Sequence, residues 1–276
     1  AVILLLGFVL IEGVVSQGAL RWISLGPVTI QPSEFAKPIV ALATAWALVS
    51  RMKHSFLISL ALCGVIFGLV FIQPDLGTAM TLLFAFVGSI IAGGVPFKIL
   101  LRWGAVVLAF LPLTWFILVP YQKARLTAFL SPHDFVQGAS YQSIQAMVAV
   151  GSGGFFGKGL GQGSQAQLKF LPARSTDFVF ASTAEELGFL GAGLLVAAFF
   201  VILWRVWIAL DESKSVFTKS AIGGIFAYLF AQAVINIGMN LGLFPIAGIP
   251  LPLVSAGGSA LVSTMFALGV VVALRK

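Results

Sequence analysis

The sequence predicts an all-α polytopic membrane protein with about eight transmembrane helices and one long extracytoplasmic loop. Three observations carry that reading. Hydrophobic residues make up 59% of the 276-residue chain and charged residues only 9%, against about 25% charged residues in a soluble domain. Mean hydropathy is +1.07. The apolar residues run continuously rather than in the alternating pattern of an outer-membrane barrel. A chain so poor in charge cannot cover itself in water, so lipid is its solvent. The 30 glycines and 12 prolines suit helices that bend and pack closely.

A helical span needs about 20 apolar residues, and the elements follow from where such runs lie. Ala1–Ile11 is apolar from its first residue. It has no initiator Met and no basic n-region, so it does not read as a signal peptide; it is expected to be the end of a span that begins upstream. The next runs are Ser33–Ser50, Ser55–Ile72, Thr78–Val95 and Trp103–Val119. Phe178–Trp204, Ser220–Leu243 and Ser259–Leu274 complete the set. If the spans alternate, Arg51, Lys53, Lys98, Arg102, Arg205, Lys214, Lys219, Arg275 and Lys276 fall on one side. The positive-inside rule makes that side the cytoplasm and places both ends there. The outer side receives Gly13–Pro32, Gln73–Gly77, Tyr121–Asp177 and Phe244–Gly258. Orientation thus accounts for most of the net charge of +7. Nucleic-acid binding is excluded, because Lys and Arg sit at segment ends rather than along one face.

Unusual residues collect on the outer side. Lys169 to Gly188 packs Lys169, Arg174, Asp177, Glu185 and Glu186 between long apolar segments. An ionisable group held at a membrane boundary is costly and therefore a functional candidate. Asp177 reads either as the N-cap of the following helix or as a general base with a carboxylate in reach of a hydroxyl proton. Glu185 and Glu186 are adjacent and cannot point the same way, so one is expected to face the bundle interior; acids near a helix start are also favoured by its dipole. Glu34 and Lys37, three apart, form an ion pair on one helix face, with Lys37 an alternative phosphate ligand. Arg21-Trp22 reads as an interfacial anchor or a diphosphate clamp. Asp75 follows Pro74 and reads as a cap.

The remaining signals are weaker. Tyr141–Val150 reads as an interfacial or re-entrant helix. Gly151–Gly163 lacks the Gly-Lys-Ser/Thr ending of a P-loop, so its glycines are expected to serve mobility. Phe244–Gly258 holds three prolines and is expected to be irregular backbone lining an outward cavity. Cys63, the single cysteine, reads as a packing residue. His54 and His133 are isolated and show no metal-ligand spacing.

Taken together, these motifs resemble the shape, elongation, division and sporulation family of RodA/FtsW peptidoglycan polymerases. The matching residues are Arg21-Trp22, Gln31-Pro-Ser-Glu-Phe-Ala-Lys37, Gln73-Pro-Asp-Leu-Gly-Thr78, Tyr141-Gln and Gly151–Gly163. They continue through Phe170-Leu-Pro, Thr176-Asp-Phe-Val-Phe180, Ala184-Glu-Glu-Leu-Gly188, Asn236-Ile-Gly-Met239 and Gly248-Ile-Pro-Leu-Pro-Leu-Val-Ser255 with Gly257-Gly-Ser259. The resemblance implies a ten-helix fold, of which this chain would lack the first two helices, forming a single domain in a bacterial plasma membrane. It implies polymerisation of lipid II at the outer leaflet, beside a class B penicillin-binding protein that supplies the transpeptidase and other elongasome or divisome components. It assigns Asp177 as general base. Arg21, Lys37 and Arg174 would offset the diphosphate charge, with a divalent cation (Mg or Mn) as a further candidate. Glu34, Asp75 and Glu186 would line the cavity and place those cations.

The chain departs from the family's usual pattern at Ala173, Ser175 and Ala256, where the family has Glu, His and Tyr. Two other functions compete. A lipid II flippase would need charged groups reachable from both leaflets, whereas here they cluster outside. An inactive scaffold for a penicillin-binding protein would be consistent with Ser175 in place of His.

Overall fold

The computed structural model describes residues 2–16, 19–26, 28–50, 54–130, 139–167, 171 and 173–275. Of the residues named above, Ala1, Arg51, Lys53, His133, Lys169, Phe170, Pro172 and Lys276 lie outside this set. Among the described residues the chain is helical throughout, apart from one small β-ribbon and the connecting turns. It divides into two compact units, one comprising Ala1–Leu118, Leu203–Ala231 and Gly258–Lys276, the other Val119–Ile202 and Gln232–Gly257.

In the first unit, α1 (Val2–Glu12) leads into an antiparallel ribbon of β1 (Val14–Ser16), β2 (Ala19–Leu25) and β3 (Val28–Ile30) in sequential order. Leu25 pairs with Val28 across the tight turn. Then come α2 (Pro32–Val49), α3 (Ser55–Ile72), α4 (Leu76–Ala92) and α5 (Phe97–Ile117). Pro32 opens α2, where its missing N–H costs nothing and its φ is already helical. Asp75 caps α4 by accepting the Thr78 N–H, as expected of an acid at that position. The unit's core joins Leu6, Val40, Leu82, Ile222, Ile225 and Val271. Gly88 lets α4 meet α10 (Val216–Asn240) closely: a Cβ there would stand 2.3 Å from the Ala227 Cβ. Such contacts hold helices together where lipid removes the hydrophobic drive. α11 (Gly258–Leu274) closes this unit.

The second unit holds α6 (Pro120–Leu130), α7 (Ala139–Ser152), the short α8 (Ser164–Gln167), the first part of α9 (Val179–Glu212) and the end of α10. α9 breaks at Gly188, whose φ of 66° and ψ of −162° are not helical. Residues 241–257 are irregular. Buried Ala146, Ala149, Leu171, Phe178, Ala181, Met239 and Ile246 pack together.

The eight predicted spans coincide with α1 to α5 and α9 to α11. Among the described residues, Ser55–Ile72, Val179–Glu212 and Val216–Asn240 are long and apolar enough to cross a membrane; Val2–Glu12, Leu76–Ala92 and Gly258–Leu274 are shorter apolar helices. This is an all-α polytopic membrane protein. Two loops differ from expectation. Gly13–Pro32 contains the ribbon, whose two-residue period has little contrast in so apolar a chain. Among its described residues Tyr121–Asp177 holds most of α6 and all of α7 and α8, and the expected helix over Tyr141–Val150 is part of α7.

The glycine-rich loop also differs from the mobile segment the sequence suggests. It is stitched to the start of α9. Lys158 and Gly159 donate backbone N–H bonds to the Glu185 and Glu186 carbonyls, both at 3.0 Å. Phe189 and Leu190 donate back to Gly154 and Phe155 at 2.9 and 3.3 Å. The break at Gly188 frees α9 backbone groups for this exchange. Glycine serves close approach here.

Candidate active site

Asp177 lies on the turn 173–178 that leads into α9. The Thr176 and Phe178 N–H groups both donate to the Ala173 carbonyl, at 3.1 and 3.2 Å. Ser182 N–H donates to the Phe178 carbonyl at 3.0 Å, so the cap position falls on Phe178, one residue past Asp177. Three consecutive carbonyls of the turn are held from other elements. Ala256 N–H donates to Ser175 at 2.8 Å. Ser255 Oγ donates to Thr176 at 2.5 Å and accepts from Leu251 N–H at 2.7 Å. Asn236 and Asn240, one turn apart on α10, donate to the Asp177 carbonyl at 3.0 and 3.1 Å. Asn236 also donates to Ile249 at 2.7 Å, and Asn240 accepts from Ala181 N–H at 3.2 Å. Both asparagines are fully buried, whereas Asp177 is half-buried. Ser175 and Ala256, two of the departures from the family's pattern, are thus direct backbone neighbours.

The Asp177 carboxylate turns toward residues 246–250. A Cβ on Gly248 would lie 3.7 Å from Asp177 Oδ2 and 3.3 Å from Arg125 Nη1. Arg125, on α6, donates from Nη1 to the Ile246 carbonyl at 3.2 Å. Its guanidinium carbon lies 4.4 Å from the centre of the Tyr121 ring, a cation–π arrangement. The irregular Phe244–Gly258 segment therefore braces the Asp177 turn from two sides.

Arg174 and Glu186 meet in one cavity of about 440 Å³, lined also by Leu160, Ser175, Ser182 and Thr183. Asp177 is not part of that lining. Glu185 is the acid that faces inward. It is fully buried, and one carboxylate oxygen accepts from Lys158 Nζ at 2.8 Å and from Ser164 Oγ and Gln165 N–H at 3.1 Å. This pair ties the glycine-rich loop to α9.

The other four candidates lie in the first unit. Asp75, 1% exposed, accepts from Gln31 Nε2 at 3.1 Å, Thr78 N–H at 3.2 Å and Thr78 Oγ1 at 2.9 Å. Arg21 Nη1 lies 3.8 Å from the Asp75 carboxylate. The same guanidinium donates to the Gln73 carbonyl at 3.3 Å and to the Pro74 carbonyl. Glu34 and Lys37 form the expected ion pair on α2, at 2.6 Å and with both side chains 2% exposed. Ser263 Oγ donates to the Glu34 carbonyl at 2.7 Å, and Lys37 Nζ lies 5.9 Å from the Tyr228 ring centre. Each acid here places a neighbouring cation.

Among the described residues, no three His, Cys, Asp or Glu side chains converge as a metal-ion donor set. Asp177 has a guanidinium, that of Arg125, for a neighbour. The described residues do not fit a divalent cation there.

Sequence reasoning passed over Arg125, Asn240 and the Lys158–Glu185 pair. A signal for Arg125 was present: Tyr121-Gln-Lys-Ala-Arg125 puts an aromatic four residues before a cation just after an apolar run, a spacing that stacks side chains on one helix face.

Comparison with known proteins places the chain in a family. The family model described as "Cell cycle protein", of FtsW, RodA and SpoVE, matches residues 1–276. The peptidoglycan glycosyltransferase MrdB of Escherichia coli is 40% identical over 271 residues, covering 95% of this chain and 72% of the relative. Stage V sporulation protein E of Bacillus subtilis is 37% identical over 282 residues, covering 99% of this chain and 76% of the relative. The crystal structure of the rod shape determining protein RodA of Thermus thermophilus superposes with a TM-score of 0.69 at 31% identity, covering 99% of this chain and 75% of that one. A chain from a peptidoglycan synthase complex that coordinates polymerization and crosslinking superposes with a TM-score of 0.82 at 32% identity, covering 99% of this chain and 78% of that one. With a family match over its whole length and a fold and motif order to go with it, this chain belongs to the FtsW/RodA/SpoVE family.

Proposed function

We propose that this chain polymerises lipid II into glycan strands at the outer leaflet of the bacterial plasma membrane, with Asp177 as general base. It is a peptidoglycan glycosyltransferase of cell elongation or division. The observation that carries the assignment of the base is the half-buried Asp177 carboxylate on a turn whose backbone is held by Asn236, Asn240, Ser255 and Ala256. A group that must take a proton from a weakly acidic hydroxyl has to be held in reach of it.

In this reading Asp177 takes the proton of the acceptor sugar's 4-hydroxyl. The oxygen attacks the anomeric carbon of the donor chain with inversion. The bond from that carbon to the diphosphate breaks, and undecaprenyl diphosphate leaves with the electron pair. Arg174, beside Glu186 in its cavity, offsets negative charge there. Arg21 and Lys37 serve the lipid diphosphate in the same way, each placed by the acid it pairs with, Asp75 and Glu34. The likeness to a chain of a peptidoglycan synthase complex supports a crosslinking partner, a class B penicillin-binding protein. Both chain ends face the cytoplasm.

The test is strand formation from purified lipid II by the full-length protein with its partner, wild type beside Asp177→Asn. Polymer from wild type alone is expected, with the variant's thermal midpoint unchanged. Polymer from both would remove Asp177 from the chemistry. Lipid II crossing vesicle membranes with no polymer formed would favour a flippase instead.

A further inference from the structure

Of the two cations on α6, Lys123 and Arg125, the second is held from two directions. Arg125 is anchored by an aromatic ring and a backbone carbonyl. Tyr121 lies four residues earlier on the same helix and offers its ring face at 4.4 Å. The Ile246 carbonyl takes an N–H from the guanidinium at 3.2 Å. A planar guanidinium with one face on an aromatic ring and one edge on a carbonyl has little rotational freedom left. It is a preset charge rather than a flexible surface side chain.

That charge points at Gly248. The glycine has φ of +67°, a left-handed conformation that side-chain-bearing residues adopt only at a cost. A Cβ on it would stand 3.3 and 3.9 Å from the two terminal guanidinium nitrogens of Arg125 and 3.7 Å from Asp177 Oδ2. The guanidinium and the carboxylate therefore both border the bare α-carbon of Gly248, no further apart than the sum of the two nearer distances. The ring comes from α6 and the carbonyl and the glycine from residues 246–248, and together they set Arg125 near the carboxylate whose turn the backbone clamps fix.

We infer that Arg125 is a positioning residue for Asp177, and that Gly248 is glycine because a side chain there would wedge between the two. The inference rests on Asp177 being the general base. The backbone clamps set where the Asp177 Cβ points; Arg125 selects among the side-chain rotamers that remain. Attraction between a fixed cation and a carboxylate narrows those rotamers. A base held within tenths of an ångström of its working geometry gains most of what preorganisation offers.

Two measurements on the full-length protein with its partner test this. The first is lipid II polymerisation by Arg125→Gln, Arg125→Lys and Arg125→Ala. Loss of positioning is expected to lower kcat roughly 100-fold, with KM for lipid II changed less than about twofold. Arg125→Lys should recover part of the loss, and added methylguanidinium should partly restore Arg125→Ala. A rise in KM at unchanged kcat would overturn the inference and make Arg125 a substrate ligand. Wild-type kcat in Arg125→Gln would overturn it outright.

The second measurement needs no activity. Thermal midpoints of Arg125→Gln, Asp177→Asn and the double variant form a cycle. Shifts that fail to add show coupling between the two groups, and strictly additive shifts would overturn it. If wild type makes no polymer, the general-base reading falls while this cycle still decides whether the two side chains act together.

Discussion

The glycine-rich loop provides a two-by-two test of how it is held. Gly151 has ordinary φ and open space where a Cβ would go. Gly154 has φ of +57° and open space. Gly153 has ordinary φ, but its Cβ would fall 1.9 Å from the Ala184 carbonyl oxygen. Gly157 has both problems: φ of +80°, and a Cβ 2.2 Å from the Glu186 oxygen. Alanine at 151, in the last turn of α7, should be neutral or stabilising by up to about 1 kcal/mol. Alanine at 154 should cost about 1–2 kcal/mol for the left-handed backbone, partly offset by a less free unfolded chain. Alanine at 153 must push the loop off α9, an overpacking cost of about 1–3 kcal/mol. The stitching bonds would loosen with it, each worth about 1 kcal/mol. Alanine at 157 should cost the most, about 2–5 kcal/mol from the two terms together. Thermal midpoints of the purified variants read the series at about 2–4 °C per kcal/mol. The order 157, then 153, then 154, then 151 supports a loop fixed by backbone contact. Equal, small shifts at all four positions would refute it and restore the mobile loop the sequence suggests.

Two further predictions concern the first unit. Lys37→Met leaves the buried Glu34 carboxylate without its 2.6 Å partner and should destabilise by about 3–5 kcal/mol. The double variant Glu34→Gln/Lys37→Met should recover most of that, and a double variant no more stable than the single would refute the pair as the cause. Arg21→Ala removes the contacts to the Gln73 and Pro74 carbonyls and the Asp75 carboxylate, a loss of about 1.5–3 kcal/mol for charged hydrogen bonds. It should also raise KM for lipid II. A lowered midpoint with unchanged KM would make Arg21 a brace of the α4 cap and nothing more.

What the sequence made legible follows from the range of the interactions involved. Hydropathy reports the solvent, so the runs that became α1 to α5 and α9 to α11 could be read directly. Glu34 and Lys37 share a helix face at a spacing of three, which a helix dictates without any tertiary knowledge. Asp75 could be read as a cap because caps are local. Asp177 stood out because charge is rare beside an apolar run. Its surroundings were hidden, because they come from α6, from the end of α10 and from residues 246–256. Arg125 and Asp177 are neighbours only once Gly248 lies between them. The glycines of 151–163 misled for a related reason: the residue type signals conformational freedom, and only the packed structure reveals that the α9 backbone occupies the space.

The clamps on Asp177 also explain why stretches so far apart in the chain belong to one device. Ser175, Thr176 and Asp177 each offer a carbonyl, and each accepts from a different donor: Ala256 N–H, Ser255 Oγ, and Asn236 with Asn240. These donors are neutral and bind the main chain, so they fix the direction of the Asp177 Cβ without using its carboxylate. Arg125, held by its own anchors on Tyr121 and Ile246, faces the carboxylate beside the α-carbon of Gly248. Direction is supplied by dipoles on the backbone and orientation by a charge held elsewhere. In the proposed mechanism the asparagines of α10 and the proline-rich segment after it are therefore what holds the base in place, though no atom of theirs takes the proton.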